Sequence, residues 1–186
     1  MTNFFRHLYT ITAHRHKVML GCFRVGLIRQ GLLHDLSKYS PSEFFVGVRY
    51  FQGTRSPNAA EREEKGYSEA WMHHKGRNRH HFEYWTDLDP QTHRYEPVAM
   101  PVKYVVEMFM DRVAACKTYQ GKDYHDGSAL AYYLRAKETR LLHEKTARQL
   151  EFLLAMLKDH GEKETFSFIR NVVLKNLPFA EESDLT

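Results

Sequence analysis

Apolar residues recur at helical spacing along most of the chain. From Asn3 to Gly26, apolar side chains separated by three or four residues, with no proline among them, predict a first long helix. Ser-Pro pairs then mark two further helix starts, at Pro41 and Pro57, because serine favours the N-cap position and proline the first helical turn. The helix that starts at Pro57 is predicted to reach about His74.

The helical pattern stops and then resumes in the second half of the chain. Gly, Asn, Asp and Pro interrupt every period across residues 75–99, which predicts a long ordered loop. An apolar stripe after Pro101 predicts a helix that ends before Gly121. Three more helices are predicted, over residues 129–136, 143–158 and 162–177. No alternating strand pattern is found, so the sequence predicts an all-α fold in which residues 1–186 form a single domain.

Composition narrows the class of protein further. The net charge of +4 permits nucleic-acid binding but does not indicate it. We expect a cytoplasmic protein without a membrane partner, because no segment is apolar enough to span a bilayer and the opening residues lack a leader pattern. Cys22 and Cys116 lie in apolar helical stretches and are predicted to be buried thiols rather than a disulfide. Nothing in the sequence indicates an oligomeric state.

Histidine is the unusual component of this chain. Twelve histidines among 186 residues is roughly three times the usual frequency. Several of them cluster with aspartates, as His14 and His16, His34-Asp35, His73-His74, His80-His81 and the single Asp111. Imidazoles with one or two carboxylates suit divalent transition metals, whereas magnesium and calcium prefer oxygen ligands. The sequence therefore predicts a site for one or two ions of Fe, Mn, Zn, Ni or Co.

The His34-Asp35 pair is distinguished by its surroundings. It lies in an apolar run between Gly31 and the Ser40-Pro41 pair, where a helix is predicted to end and both side chains can turn toward one site. An unpaired carboxylate buried there would cost several kcal/mol, which favours a functional role. The second such pair, His125-Asp126, lies in a polar turn and is assigned to an ordinary loop. His7, His93, His143 and His160 are interpreted as satisfied or solvent-facing side chains without a functional role.

The histidine-rich segment HHKGRNRHH and Asp111 are interpreted from their neighbours. The aromatic residues Trp71, Phe82, Tyr84 and Trp85 flank the segment. They favour a packed loop over a solvated basic one, and they either pack in the core or stack on a nucleobase. Asp111 lies in an otherwise apolar helix, one turn after Glu107, which favours burial beside a cation.

The order of these residues resembles a known superfamily. A histidine, then His-Asp, then two histidine pairs and an aspartate on successive helices is similar to the HD-domain superfamily of metal-dependent phosphohydrolases. HDLSK at residues 34–38 resembles the HD-x-x-K form of its cyclic-dinucleotide phosphodiesterases, and the 30 residues from His81 to Asp111 match their spacing, although their GYP segment is missing. GLLHDLSKYSPSEF, GYSEAWMHHKGRNRHHFEYW and MPVKYVVEMFMDR resemble an uncharacterised family of HD-like proteins of bacteria and phages over about residues 8–175. That family brings no established substrate.

The resemblance implies an HD-domain-like helical bundle and a particular set of metal ligands. The first histidine is assigned to His14, because the family has it after an Ile-Thr pair, with His16 as the alternative. His74 is favoured over His73, and His80 and His81 are not separated. The implied metal ligands are His14, His34, Asp35, His74, His80, His81 and Asp111.

The function expected from these residues is hydrolysis of a small phosphate ester, such as a nucleotide, by a metal-activated hydroxide. Asp35 is expected to bridge two ions. Lys38 is expected to act in catalysis and, with Arg77, to bind the substrate and neutralise charge on its phosphoryl oxygens. One alternative is a di-iron centre on the same ligands that activates oxygen. The other is a non-catalytic nucleic-acid or regulatory binding module, in which HHKGRNRHH grips phosphates.

Overall fold

A computed structural model describes residues 2–135, 137 and 140–180 of the chain. The helices are α1 (Asn3–Val25), α2 (Ile28–Leu33), α3 (Pro41–Arg49), α4 (Pro57–Lys65), α5 (Glu69–Lys75), α6 (Val102–Gln120), α7 (Ser128–Leu134) and α8 (Glu144–Asn171). Helices dominate the described residues, which confirms the predicted all-α fold class. No helix among these residues is long and apolar enough to cross a membrane.

The core is one cluster of apolar side chains shared by the long helices. Val18 and Cys22 of α1, Val106 and Phe109 of α6, and Leu153 of α8 all belong to it and are fully buried. The buried positions of α1 recur every three or four residues, as expected for one helix face turned toward α6. Cys22 and Cys116 are free and buried, as the sequence predicts.

The helix predicted from Pro57 to His74 is two helices in the structure. Gly66 adopts the left-handed conformation (φ 82°, ψ −15°) at the end of α4, where residues with a Cβ atom are disfavoured. Ser68 then caps α5, since its hydroxyl oxygen accepts a hydrogen bond from the backbone N–H of Trp71 at 3.0 Å. The continuous prediction is wrong because Gly66 and Ser68 are a stop and a start signal only two residues apart.

Residues 75–99 form an ordered connection, as predicted, but they also contain a small hairpin that the sequence pattern missed. Strand β1 (Thr86–Leu88) pairs antiparallel with β2 (Tyr95–Pro97). Its turn is held by Asp89, whose carboxylate accepts from the N–H groups of Gln91 and Thr92 at 2.9 and 2.7 Å. Three-residue strands are too short to show an alternating pattern, so the expectation of no strands is wrong here.

The last two predicted helices are one element with a kink. α8 runs through Gly161, whose backbone is non-helical (φ 75°, ψ 176°), at the boundary predicted between residues 158 and 162. The helix ends at Asn171, short of the predicted residue 177, and a 3-10 turn follows over Val173–Lys175. The predicted end of the 129–136 helix, at Ala136, lies outside the described residues.

Candidate metal centre

The chain turns sharply between α2 and α3, and this turn positions the His-Asp pair. α2 ends at Leu33, His34 follows in an extended conformation, and Asp35 adopts the left-handed conformation (φ 54°, ψ 24°) before a 3-10 turn over Leu36–Tyr39. Asp35 is not a glycine, so its left-handed backbone is strained, a feature that clusters at functional sites. The prediction that this pair lies at a helix end is confirmed, and both side chains are almost fully buried.

The two carboxylate oxygens of Asp35 face different sets of imidazoles. Oδ2 lies 3.3 Å from Nε2 of His34 and 3.8 Å from Nε2 of His14. Oδ1 lies 3.2 Å from Nε2 of His74 and 3.4 Å from Nε2 of His80. The carboxylate therefore stands between two groups of potential ligands.

One further residue completes each group. Oδ1 of Asp111 lies 2.9 Å from Nε2 of His14 and 3.5 Å from Nε2 of His34. Nε2 of His81 lies 2.9 Å from Nε2 of His74. We call His14, His34, Asp35 and Asp111 the first ligand group, and Asp35, His74, His80 and His81 the second ligand group. Within each group, potential ligand atoms lie within 4.8 Å of one another, so both buried clusters could hold a metal ion.

The second ligand group depends on a tight turn within HHKGRNRHH. The side-chain amide of Asn78 donates to the carbonyl oxygen of His74 and to Oγ of Ser37, both at 2.8 Å. These bonds fold the segment back on the end of α5, so that His80 and His81 return to the level of His74. His74, Asn78 and His80 are buried, which fits the packed loop predicted from the flanking aromatic residues.

Two glutamates orient the imidazoles from behind. Oε1 of Glu107 lies 3.0 Å from Nδ1 of His34 and 3.2 Å from Nδ1 of His80, so one oxygen serves both ligand groups. Oε2 of Glu43 lies 2.8 Å from Nδ1 of His74. A carboxylate on Nδ1 fixes the ring and leaves Nε2 directed into the cluster, as is common behind metal-binding histidines.

The unsatisfied atoms of the cluster test whether a cation fits. Nε2 of His34, Nε2 of His80 and both oxygens of Asp35 are buried and make no hydrogen bond of good geometry. Oδ2 of Asp35 has Nζ of Lys38 2.6 Å away, but the other three atoms have no such partner. Buried polar atoms are nearly always satisfied, so these three need one. Two ligands bound to one ion at about 2.1 Å lie about 3.0–3.5 Å apart, and most N···O separations around Asp35 fall in that range. The residues fit a metal ion.

The protonation of the cluster reflects its buried carboxylates. Burial alone would raise the pKa of Asp35, but the charges of His34 and Lys38 hold it well below its usual range. Burial alone would lower the pKa of His34, but the Asp35 carboxylate raises it well above the usual value. Burial lowers the pKa of His81, and His80 and His74 lower it further. The carboxylates thus attract positive charge to particular imidazoles.

Lys38 lies at the edge of the cluster. Its Nζ is 2.6 Å from Oδ2 of Asp35 as an ion pair, and its side chain is 29% exposed. The turn around it is a 3-10 turn, so the contact joins residues three apart rather than a helical face shared with His34. The pKa of Lys38 is raised, because the Asp35 carboxylate outweighs the effect of burial.

The structure separates the members of two uncertain pairs and keeps both members of the third. His16 is exposed on the opposite side of α1 from buried His14. His73 points Nδ1 at Oε1 of Glu43, 2.6 Å away, and belongs to neither ligand group. His80 and His81 both belong to the second ligand group. His125 is exposed in the turn before α7, which confirms its assignment to an ordinary loop.

A cavity of about 830 Å³ opens beside the cluster. Its wall includes Lys38 and ligands from both groups, namely His14, His74, His81 and Asp111. Trp71 and Phe82 also line it, whereas Trp85 packs against Tyr104 outside it. Arg77, predicted to bind substrate, is exposed, donates to the carbonyl oxygen of His73 at 3.2 Å and does not line the cavity. A larger cavity of about 1200 Å³, between residues 99–103 and 170–179, contains none of the ligands.

Fold and site together define a histidine-rich all-α protein with a buried His/Asp cluster that could hold a metal ion. The chain matches the family of unknown function DUF5662 over residues 3–156 and belongs to that family. The matched span contains both ligand groups and the glutamates behind them. No curated protein and no solved structure matches the chain.

Two residues of the site were not predicted as participants. Glu107 was noted only as a neighbour of Asp111, although a carboxylate one turn earlier on the same apolar helix is itself a signal of burial. Glu43 stands in the first turn of α3, a common place for glutamate, so its sequence position suggests only a role at the helix terminus. Its contact with His74 depends on how α3 and α5 pack.

Proposed function

We propose that this protein is a metal-dependent phosphohydrolase acting on a small, nucleotide-like phosphate ester. The observation that carries the proposal is the position of Asp35, whose two oxygens face the first and the second ligand group separately. A carboxylate in that position is suited to bridge two cations. Pairs of divalent ions about 3.5–4 Å apart are a recurrent solution for phosphate-ester hydrolysis.

The proposal assigns each ligand group one ion. His14, His34 and Asp111 would hold one, and His74, His80 and His81 the other, with Asp35 shared. Bound divalent transition metals would supply Lewis-acid polarisation of the phosphoryl oxygens and a water of lowered pKa. The nitrogen-rich ligand set favours Fe, Mn, Zn, Ni or Co over magnesium or calcium.

The walls of the cavity support an anionic substrate. Lys38 lies between the cluster and the cavity, where its ammonium can leave the Asp35 carboxylate and contact a phosphoryl oxygen. A preorganised positive charge beside the reacting phosphate stabilises the charge that develops in the transition state. Arg77 has no part in this arrangement.

The resemblance to the HD-domain superfamily supports the same reaction class. The residues that carry the resemblance converge on one buried cluster rather than on separate surfaces. They are His14, His34, Asp35, His74, His80, His81 and Asp111, and four of them also line the cavity beside the cluster. Residues far apart in sequence meet in this way when they share a chemical task. The nucleic-acid-binding alternative is less favoured, since the burial of His74 and His80 takes them away from an exposed backbone-binding surface.

Oxygen activation at a di-iron centre remains the second candidate. The observation that favours it is the number of imidazoles: five histidines and two carboxylates form the two groups, a set that also suits iron. Both candidates share the metal site and differ only in the reaction.

Metal analysis and turnover assays separate these candidates. We expect protein purified without chelators to contain bound transition metal and to hydrolyse members of a phosphate-ester and nucleotide panel when loaded with Mn, Zn, Ni or Fe. His34→Ala should lose metal and turnover, whereas His125→Ala, in the turn before α7, should keep both. Absence of turnover with every metal, together with an iron absorption band that changes with ascorbate, would favour oxygen activation. Protein that binds no metal would refute both candidates.

A further inference from the structure

The cavity beside the metal cluster continues along α6, away from the ligands. Met108, Asp111, Arg112, Ala115, Cys116 and Tyr119 line it, at the spacing of a single helix face. Its far wall comes from Tyr132 of α7 and from Arg135, Arg140 and Leu141. The space thus extends past the cluster toward two arginines that the proposed phosphohydrolase reaction does not need.

Arg112 and Arg140, which we call the arginine pair, lie over the same aromatic ring. Their guanidinium carbons are 5.9 and 5.3 Å from the ring centroid of Tyr133. Arg140 also donates to the carbonyl oxygen of Tyr133 at 3.1 Å. Two like charges near one ring repel each other, so a negative partner would stabilise the arrangement.

The missing partner is not found among the residues that the structure describes. Neither member of the arginine pair has a described carboxylate within 4.0 Å. Nε of Arg112 is buried without a hydrogen bond, and its Nη2 contacts only the sulfur of Met108, at 3.8 Å. Arg55, which also lines the cavity, differs in this respect, because it binds both carboxylate oxygens of Glu63 at 2.6 Å. The arginine pair therefore keeps most of its donors available to a ligand.

We infer that the arginine pair is a subsite for a second phosphate group of the substrate, so that the proposed hydrolase acts on phosphate esters with two separated phosphates. This inference rests on the proposed function for the first phosphate, at the metal cluster. Guanidinium groups present planar forks of N–H donors that match phosphate oxygens, which lysine does not. A phosphate on the pair would offset the repulsion between the two arginines.

A series of bisphosphonates tests the subsite without turnover, because carbon–phosphorus bonds resist hydrolysis. The affinities of alkane-α,ω-bisphosphonates, with chains of about two to eight carbons, are measured by calorimetry on the metal-loaded protein. They are compared with the affinities of alkylphosphonates of equal length. We expect one chain length at which the second phosphonate improves affinity by at least about tenfold, the effect of one good charge-assisted contact. A bisphosphonate has two equivalent ends, and this alone raises its affinity by only about a factor of two.

Variants of the arginine pair and one matched control complete the test. Arg112→Gln and Arg140→Gln should each reduce the bisphosphonate advantage to about twofold while leaving metal content and monophosphonate affinity unchanged. Arg55→Gln, which removes a cavity arginine already paired with Glu63, should leave the advantage intact. Circular dichroism checks that each variant folds. If Arg112→Gln does not fold, the test of the subsite depends on Arg140→Gln, because Arg140 lies after α7 and not in the packed helix α6.

The outcomes distinguish the subsite from the reaction. Two results overturn the subsite. In the first, no bisphosphonate binds the wild type more than about twofold better than the monophosphonate of equal length. In the second, the higher affinity for the bisphosphonate survives both arginine variants. In either case, metal-dependent binding of the monophosphonates leaves the proposed function standing. If removing the metal abolishes all phosphonate binding and restoring it brings back the higher affinity for bisphosphonates, that result supports both the subsite and the proposed function. Failure to bind metal at all overturns the proposed function and the subsite that depends on it.

Discussion

Replacing Asp35 by asparagine separates the charge of this residue from its shape. Asparagine tolerates the left-handed backbone conformation found at Asp35 (φ 54°), so the turn after α2 is preserved. One carbonyl oxygen remains, but the second oxygen becomes an amide that donates hydrogen bonds. The variant therefore loses the negative charge shared by the two ligand groups without opening a cavity.

Two magnitudes follow from the contacts of Asp35. In the metal-free protein the substitution removes the partner of Lys38, 2.6 Å away. Removing one partner of a fully buried ion pair costs about 3–5 kcal/mol, but Lys38 is 29% exposed and can turn to water, so we expect a loss of about 1–3 kcal/mol. For metal affinity, residues behind the ligands contribute about 10–100-fold each, so loss of a shared ligand should cost more than about 100-fold.

The assay combines metal content with stability. Wild type and Asp35→Asn are dialysed against the same buffered transition metal, the bound metal per chain is measured by mass spectrometry, and urea unfolding is followed by circular dichroism. Asp126→Asn is the matched control, since Asp126 belongs to the second His-Asp pair, in the turn before α7. We expect the control to keep wild-type metal content and the Asp35 variant to lose it while staying helical.

One result would refute the reasoning directly. If folded Asp35→Asn retains the wild-type stoichiometry of metal, Asp35 is not a shared ligand, and the two groups around it do not form a bridged pair of sites. Equal metal loss from Asp126→Asn would show that the loss does not depend on the cluster.

Four further predictions concern residues around the cluster. Lys38→Ala should keep bound metal but lose about 10–100-fold in turnover; unchanged turnover would make the lysine structural. Glu107→Gln, which alters a contact shared by both ligand groups, should lower metal affinity about 10–100-fold in competition with a chelator, and an unchanged affinity would contradict that role. Gly47→Ala would place a Cβ 2.2 Å from Nε2 of His7, so we expect the free energy of unfolding in urea to fall by about 1–3 kcal/mol. Adding His7→Ala should restore part of that stability. If the two losses simply add, the clash is not the cause. Burial, and then the charge of Lys38, lower the pKa of His7 from 6.5 to about 4. Below pH 6.5, His7 takes up a proton in the unfolded chain but not in the folded protein, so the stability of the folded protein falls toward pH 4. His7→Gln should remove up to about 2 kcal/mol of that loss by pH 5. An identical pH dependence of stability in wild type and variant would disprove this role of His7.

The long helices α1 and α6 were predictable from their apolar residues, for different reasons. α1 turns one face to the core along its length, and the spacing of its apolar residues records that face directly. α6 is buried on all sides at residues 105–110, and a nearly continuous apolar run marks it. The break at Gly66 and the hairpin β1–β2 were not predicted. A stop and a start signal two residues apart look like one continuous helix in a pattern search. Strands of three residues carry too few positions for any period to emerge.

The ligand types were predictable, but the choice within each pair depends on geometry. The buried face of α1 includes Ile11, His14 and Val18, so helical phase alone separates His14 from His16. No such rule applies to His80 and His81, because they lie in an irregular turn held by Asn78 and Ser37. Adjacent residues there both face the cluster, which a regular helix or strand would prevent.

The positions of the arginine side chains could not be predicted from sequence. Arg77 lies in the histidine-rich segment, yet sequence proximity does not determine where a long side chain points, and Arg77 does not line the cavity. Arg112 directly follows Asp111 on α6, and Arg140 is more than twenty residues further along. Their approach to one cavity depends on the packing of α6 and α7, which local sequence patterns do not record.

The balance of buried charge connects the metal site to its substrate. Asp35, Asp111, Glu43 and Glu107 bring four carboxylates to the cluster, against the single ammonium of Lys38. With neutral imidazoles, three negative charges would be left in a buried region, an arrangement that costs far more than its contacts return. Proton uptake by imidazoles offsets part of this charge in the metal-free protein. One divalent ion would still leave a negative site that repels phosphate, whereas two would leave it positive and attract phosphate, so the charge balance favours two ions for the proposed reaction.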